Sequence, residues 1–212
     1  MVFHVLNRGV GRMRLFRGDG DYEAFERAVE KTLETRPMRI LAYCLMPNHW
    51  HLVLWPERVG DLGSFMQKLT ITHVRNWQEH RRRVGDGHLY QGRYKSFPLE
   101  SDEHFYQVVR YVERNALRAN LVSRAEQWRW SSLPRAERGK AAGSILSEWP
   151  LPRPHDWLDM VNRPQAEAEL HAVQNCIHRG CPFGDPDWIA TTASRLGLDS
   201  TLRPRGRPRK GG

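Results

Sequence analysis

The sequence has few cysteines and no long apolar run, and each shortage excludes a class of protein. Only three cysteines occur in 212 residues: Cys44, Cys176 and Cys181. A small, odd number argues against a disulfide-stapled secreted domain. No segment stays apolar over the roughly 20 residues that a membrane-spanning helix needs, and no secretory leader is recognisable at the start. We therefore expect a protein of the reducing cytoplasm.

Acidic residues are also scarce relative to basic ones. The chain has 33 Lys and Arg against 24 Asp and Glu, which gives a formal net charge of +9. Such an excess favours a polyanionic partner, most often nucleic acid, and so predicts association with the nucleoid. Five cations stand in the last twelve residues, which contain no acid: Arg203, Arg205, Arg207, Arg209 and Lys210. This tail is either a solvated end or a binding segment, and charge alone does not decide between them.

Strand and helix patterns alternate along the first 133 residues. Strands are predicted at 3–8, at 39–46, from residue 49 and near the end of 89–99, and helices near 19–36, at 61–80 and from 101. The order β-α-β-β-α-β-α predicts an α+β fold: a ferredoxin-like split βαβ sandwich, with an antiparallel sheet and helices on one face, plus one further helix.

Composition changes after residue 133, where Pro, Trp, Arg and Ala become frequent. Two helical stretches follow, at Pro164–His178 and Asp185–Leu196. We expect three parts: a catalytic domain (1–133), a small helical appendage (134–200) and a basic tail (201–212).

Two histidines stand two residues apart on the strand that follows a Pro-Asn turn. Side chains alternate along a strand, so His49 and His51 leave the same face, roughly 7 Å apart at the backbone, where two imidazoles can converge on one metal ion. The opposite face is apolar: Trp50, Leu52 and Leu54. A polar pair on an apolar strand is costly to bury unless something binds it, although simple hydrogen bonding of both rings is the common alternative.

A tyrosine and an asparagine share one face of the next helix. Tyr111 and Asn115 are four residues apart, with Gln107 one turn before and Arg118 one turn after. Alone, this pattern is typical of a packed ring at the edge of an amphipathic helix. Together with His49 and His51, it supplies what covalent phosphodiester cleavage needs. Two nitrogen ligands and a carbonyl oxygen can hold a Lewis-acidic metal, and a phenol can store the bond as a phosphotyrosine.

At these residues the chain resembles the HUH single-tyrosine transposases, and most closely the REP-associated tyrosine transposases. Four segments carry the resemblance, over about residues 2–133: His4–Gly9, His49–His51, Tyr90–Lys95 and Tyr111–Val122. One departure is Ala116, where such proteins often have proline. The resemblance implies that Tyr111 is the nucleophile, with Tyr106 the less favoured candidate. It also implies that His49, His51 and Asn115 hold Mg²⁺ or Mn²⁺.

The resemblance further implies a substrate of single-stranded DNA, often beside a hairpin, cut to leave a 5′-phosphotyrosine and a free 3′-hydroxyl. Aromatic rings interleaved with cations before the fourth strand agree with base stacking beside phosphate contacts, although such rings also pack on neighbouring strands. The predicted DNA-contacting residues of the domain are Arg8, Tyr90, Arg93, Tyr94, Lys95 and Arg118.

The tail contains Arg205-Gly206-Arg207-Pro208, which resembles the core of an AT-hook. Arginines suit a narrow A·T minor groove because its negative potential is strong there, so Arg205 and Arg207 predict contact with an A·T-rich duplex flank. General attraction to phosphates is the alternative.

Two other interpretations stay open. Four residues that lie close together in the sequence could form a zinc site: His171, Cys176, His178 and Cys181. Their spacing, however, matches no common ligand pattern. A non-catalytic protein on the same fold, recognising hairpin or A·T-rich DNA as a regulator, would also explain the charge.

Overall fold

A four-stranded antiparallel sheet forms the centre of the computed structural model, which describes residues 1–85, 87–137 and 145–203. The strands are β1 (Val2–Arg8), β2 (Arg39–Met46), β3 (His49–Trp55) and β4 (Lys95–Leu99). They lie side by side in the order β2-β3-β1-β4, and every neighbouring pair is antiparallel. Helix α1 (Asp19–Thr35) connects β1 to β2, and α2 (Asp61–His80) connects β3 to β4. Each connection passes over the strand between, which confirms the predicted split βαβ fold.

Helices cover both faces of this sheet. Helices α1 and α2 contact each other on one face, over apolar side chains of the first three strands: Val5, Ile40, Tyr43, Leu45, Trp50, Leu52 and Leu54. Helix α3 (Glu103–Glu113) covers the other face through Phe105, Val108, Val109 and Val112. The prediction of helices on one face therefore holds for α1 and α2 only, because the apolar stripe of α3 is buried against the opposite side.

The start of α3 shows how local sequence sets an element. The side chain of Asp102 accepts a hydrogen bond from the backbone N–H of His104, 2.9 Å away. This satisfies one of the unpaired donors of the first turn, and Glu103 adds a favourable charge there. The capping residue is thus Asp102, one position after Ser101.

In the described part of the chain, six further α-helices follow α3: α4 (Asn115–Arg118), α5 (Ser132–Glu137), α6 (Trp157–Asn162), α7 (Glu167–Arg179), α8 (Pro186–Leu196) and α9 (Asp199–Leu202). Helices α7 and α8 fall within the two predicted helical stretches, to within a few residues. Trp157 of α6 and Val173 of α7 are fully buried in the same apolar cluster as α3. The buried carboxylate of Glu113 accepts hydrogen bonds from the Trp157 indole (2.8 Å) and the Ser132 hydroxyl (2.6 Å).

None of the described helices combines the length and the apolar character needed to cross a bilayer. The two arginines of the predicted AT-hook-like tail, Arg205 and Arg207, lie outside the described residues.

Candidate active site

Strand β3 delivers two imidazoles to one side of the sheet. The ring centroids of His49 and His51 are 5.0 Å apart, and Trp50 between them is buried in the core under α1 and α2. The predicted alternation of this strand is therefore present. His51 is almost completely buried, at 2% exposure.

The Nδ1 atom of each of these rings is in hydrogen-bond contact with another side chain. The Nδ1 of His49 lies 2.7 Å from Oδ1 of Asn48, and the Nδ1 of His51 lies 2.8 Å from Nε2 of His4 on β1. Among the described residues, neither Nε2 of His49 nor that of His51 has a hydrogen-bond partner.

Burial keeps all three rings uncharged. It lowers the pKa of His4 and of His49 to about 3, and it holds the pKa of His51 well below the ordinary value. The imidazoles are therefore neutral near pH 7, which is the form that binds a metal ion. The donor set thus fits a divalent cation.

Tyr111 stands beside the histidines on the last turn of α3, with its ring centroid 5.8 Å from that of His51. The helix is interrupted at Arg114 and resumes as α4 at Asn115, yet Tyr111 and Asn115 line the same cavity. Arg118 joins the two. Its guanidinium carbon lies 4.0 Å from the centre of the Tyr111 ring, and its Nη2 donates to Oδ1 of Asn115 at 3.0 Å.

Burial and the neighbouring charges shift the pKa of Tyr111 in opposite directions. Burial raises the pKa of its hydroxyl, whereas the positive charges of Arg118 and Arg8 lower it. Within the described part of the chain, two N–H donors of residues that line the cavity are buried without a partner: Nδ2 of Asn115 and Nε of Arg8. Orphaned donors beside cationic side chains fit an anionic ligand.

The cavity has a volume of about 590 Å³ and is lined by residues of the sheet and of helices α3, α4 and α7. Besides the residues above, its walls include Gln91, Arg93 and Lys95 before and in β4, and Gln174, Ile177 and His178 of α7. The sequence did not indicate that α7 reaches this site, because helical periodicity does not show which distant surface a helix will meet. His4 was also missed, although alternation along β1 places it on the same face as Val2 and Leu6.

Apart from Tyr90, the predicted DNA-contacting residues of the domain line two adjoining cavities. Arg8, Arg93, Lys95 and Arg118 line the cavity beside Tyr111. Tyr94 is half-buried and lines an adjoining groove of about 1360 Å³ along α2, which shares Asn7, Gln91, Gly92 and Arg93 with that cavity.

Tyr90 is placed differently from its prediction. It is 7% exposed. Its hydroxyl accepts a hydrogen bond from the Trp50 indole at 2.9 Å and lies 2.6 Å from Nδ1 of His73. The ring belongs to the core under α2, so the predicted stacking of Tyr90 on a base does not fit the structure.

The other candidates on α3 lie away from the histidines. Tyr106 donates its hydroxyl to the backbone oxygen of Pro152 at 2.6 Å and packs against Trp149 and Trp157. Gln107 lines a separate cavity with Cys176 and Cys181. Tyr111 is therefore the α3 tyrosine beside the imidazoles.

The imagined zinc site is not supported. The Sγ atoms of Cys176 and Cys181 lie 3.2 Å apart. Within the described ranges, the one group of three or more His, Cys, Asp or Glu side chains close enough to share an ion is instead Glu100, Asp102 and His104. Both carboxylates there accept backbone hydrogen bonds at helix starts, Glu100 from Asp185 and Asp102 from His104.

Known proteins share this architecture. Residues 1–115 match the family model described as "Transposase IS200 like". A Haemophilus influenzae protein described as a REP-associated tyrosine transposase is 23% identical over 119 residues, which cover 52% of this chain and 68% of that protein. The solved structure of a REP-associated tyrosine transposase bound to a REP hairpin matches with a TM-score of 0.55 and 21% identity, over 69% of this chain and 87% of that one.

Proposed function

Because this chain belongs to the IS200-like transposase family, we propose that it cleaves and rejoins single-stranded DNA beside a hairpin through a 5′-phosphotyrosine intermediate. The observation that carries the proposal is the position of Tyr111. Its ring lies 5.8 Å from that of His51, in a cavity that brings two neutral imidazoles together with the cationic side chains of Arg8, Arg93, Lys95 and Arg118.

His49 and His51 are the residues that would hold a divalent metal ion through their Nε2 atoms, with Asn115 as the third ligand. Asn115 can join only through Oδ1, which now accepts from Arg118. Mg²⁺ prefers oxygen ligands, whereas Mn²⁺ accepts mixed nitrogen and oxygen sets, so both ions are candidates. When bound, such an ion supplies Lewis-acid stabilisation of charge on a non-bridging phosphate oxygen.

The side chains of the protein would carry out the bond changes. The Tyr111 hydroxyl gives up its proton to water and its oxygen attacks the phosphorus. The bond from phosphorus to the 3′-oxygen breaks, that oxygen takes up a proton, and the phosphate stays on Tyr111 as the 5′-phosphotyrosine. Attack by a 3′-hydroxyl of another strand would reverse these steps and complete the transfer. Arg118 and Arg8 stabilise the negative charge that develops on the phenol and the phosphate.

DNA binding would use the cations around the cavity mouth and the adjoining groove. Arg8, Arg93 and Lys95 would contact phosphates, and the half-buried ring of Tyr94 would stack on a base. The structural relative whose complex contains a REP hairpin supports a hairpin as the DNA partner. We further propose that the tail, through Arg205 and Arg207, contacts an A·T-rich duplex flank and that the chemistry belongs to residues 1–133.

A labelling experiment tests the proposal. The full chain is incubated with Mn²⁺ or Mg²⁺ and a pool of DNA molecules, each with a hairpin beside a single strand of randomised sequence. The products are separated on a denaturing gel. A 5′-phosphotyrosine retains the fragment downstream of the cut, so 3′-labelled DNA should give a slow-migrating adduct and 5′-labelled DNA a short free product. Tight binding of the pool with neither an adduct from 3′-labelled DNA nor a short product from 5′-labelled DNA would favour the non-catalytic DNA-binding regulator instead.

A further inference from the structure

A buried histidine on β1 is part of the site without lining its cavity. We propose that His4 is a positioning residue that fixes the tautomer of His51, so that the Nε2 lone pair of His51 faces the cavity. The inference rests on the proposed function because it takes His51 to be a ligand of the metal ion.

His4 is placed to act on one partner. It is 1% exposed, and its Nε2 lies 2.8 Å from Nδ1 of His51. Its ring is held between Phe97, whose centroid is 4.9 Å away, and Tyr111, at 6.4 Å. Burying a polar ring among aromatic ones is costly unless it is hydrogen-bonded, and the contact with His51 provides that bond.

The short contact between two neutral rings has only two possible arrangements. Each neutral imidazole carries one N–H, and a hydrogen bond between two ring nitrogens needs one proton between them. If His4 donates from Nε2, the proton of His51 must sit on its own Nε2, which then cannot bind a cation. If His51 donates from Nδ1, its Nε2 keeps the lone pair, and His4 carries its proton on Nδ1. Only the second arrangement is compatible with metal binding.

The neighbouring histidine supports this assignment. His49 meets the Asn48 side chain at 2.7 Å, and the amide oxygen there can only accept, so His49 donates from Nδ1 and keeps Nε2 open. His4 gives His51 the equivalent acceptor. Partners of this kind orient metal-binding histidines, and their loss typically weakens metal affinity by about 10- to 100-fold.

Two measurements on the full chain test the role of His4. In metal-free protein carrying ¹⁵N-labelled histidine, long-range proton–nitrogen correlation spectra report which nitrogen of each ring is protonated. We expect His51 in the Nδ1–H form, and a shift towards the Nε2–H form in His4→Phe, because a buried N–H donor without an acceptor is costly. Titration with Mn²⁺, followed by the electron paramagnetic resonance of the free ion, should show about 10- to 100-fold weaker binding in His4→Phe.

Two variants separate hydrogen bonding from packing. His4→Gln restores a carbonyl acceptor and should recover most of the Mn²⁺ affinity, whereas Phe97→Leu disturbs the same packing and should keep it. An Nε2–H form of His51 in the wild type, or an unchanged affinity in a folded His4→Phe protein, would overturn the proposal. A wild type with the Nδ1–H form that does not bind Mn²⁺ would support the His4 contact and overturn the metal role of His51.

Discussion

Removing the charge of Arg118 should slow cleavage by making Tyr111 harder to ionise. The guanidinium lies over the Tyr111 ring, 4.0 Å from its centre, and its charge lowers the pKa that burial raises. Arg118→Met keeps an unbranched apolar stem of similar shape but removes the charge and the hydrogen bond to Asn115.

The size of the effect follows from the distance. Two unit charges about 4 Å apart interact by about 4 kcal/mol at an effective dielectric constant of about 20. The developing charge resides largely on the phenol oxygen, farther from Arg118 than the ring centre, and Arg118 is half-buried, so about half of that energy should remain. A loss of about 2 kcal/mol raises the pKa by about 1.5 units and lowers the rate near neutral pH by about 30-fold.

The assay is the initial rate of adduct formation against pH, at saturating DNA so that weaker binding does not contribute. The wild-type rate should rise with pH as Tyr111 ionises. The Arg118→Met profile should be displaced to higher pH by about 1.5 units, and that of Arg118→Lys, which retains the charge, by less. An unchanged Arg118→Met rate near neutral pH, or a profile with an unshifted midpoint and a lower plateau, would refute the reasoning, because Arg118 would then not act through the ionisation of Tyr111.

Three other predictions concern the metal, the α7 wall and the tail. Cleavage should be lost in EDTA and in His49→Ala or His51→Ala, and Mn²⁺ should support it at least as well as Mg²⁺; full activity in EDTA would exclude the metal role. The double variant Gln174→Ala/His178→Ala should fold normally, because neither side chain is buried, and should bind single-stranded DNA several-fold more weakly by fluorescence anisotropy; unchanged affinity would show that this wall does not contact DNA. Deleting 204–212 removes Arg205 and Arg207 but keeps the contacts of Arg179 with the backbone of Thr201 and Arg203. It should flatten the salt dependence of binding and cost more affinity on A·T-rich than on G·C-rich flanks. A folded truncation that no longer cleaves a saturating short strand would instead assign the tail to the active site.

Local patterns predicted the framework of the site because they depend on neighbours in sequence. Alternation along β3 was enough to place His49 and His51 on one face, and the predicted bounds of β2 agree with the observed strand, Arg39–Met46. The spacing of Tyr111 and Asn115 brought both to one cavity even though the helix is interrupted between them.

The features that were missed depend on contacts between distant parts of the chain. Tyr90 was predicted to stack on a base because it is an aromatic residue close to cations in the sequence. It is buried instead, and its hydroxyl is in hydrogen-bond contact with Trp50 of β3 and His73 of α2. The hydrogen bond between His4 and His51 joins residues 47 positions apart. The approach of α7 to the cavity likewise brings together elements up to about 170 residues apart. Periodicity within one element carries no information about contacts between distant elements.

The most direct test of the central claim is to locate the tyrosine that becomes linked to DNA. The trapped adduct is digested with nuclease and protease, and tandem mass spectrometry identifies the residue that carries the 5′-nucleotide. We expect the modification on Tyr111, and we expect Tyr111→Phe to bind hairpin DNA as the wild type does while forming no adduct. A nucleotide on Tyr106, or an undiminished adduct in Tyr111→Phe, would contradict the assignment of Tyr111 as the nucleophile.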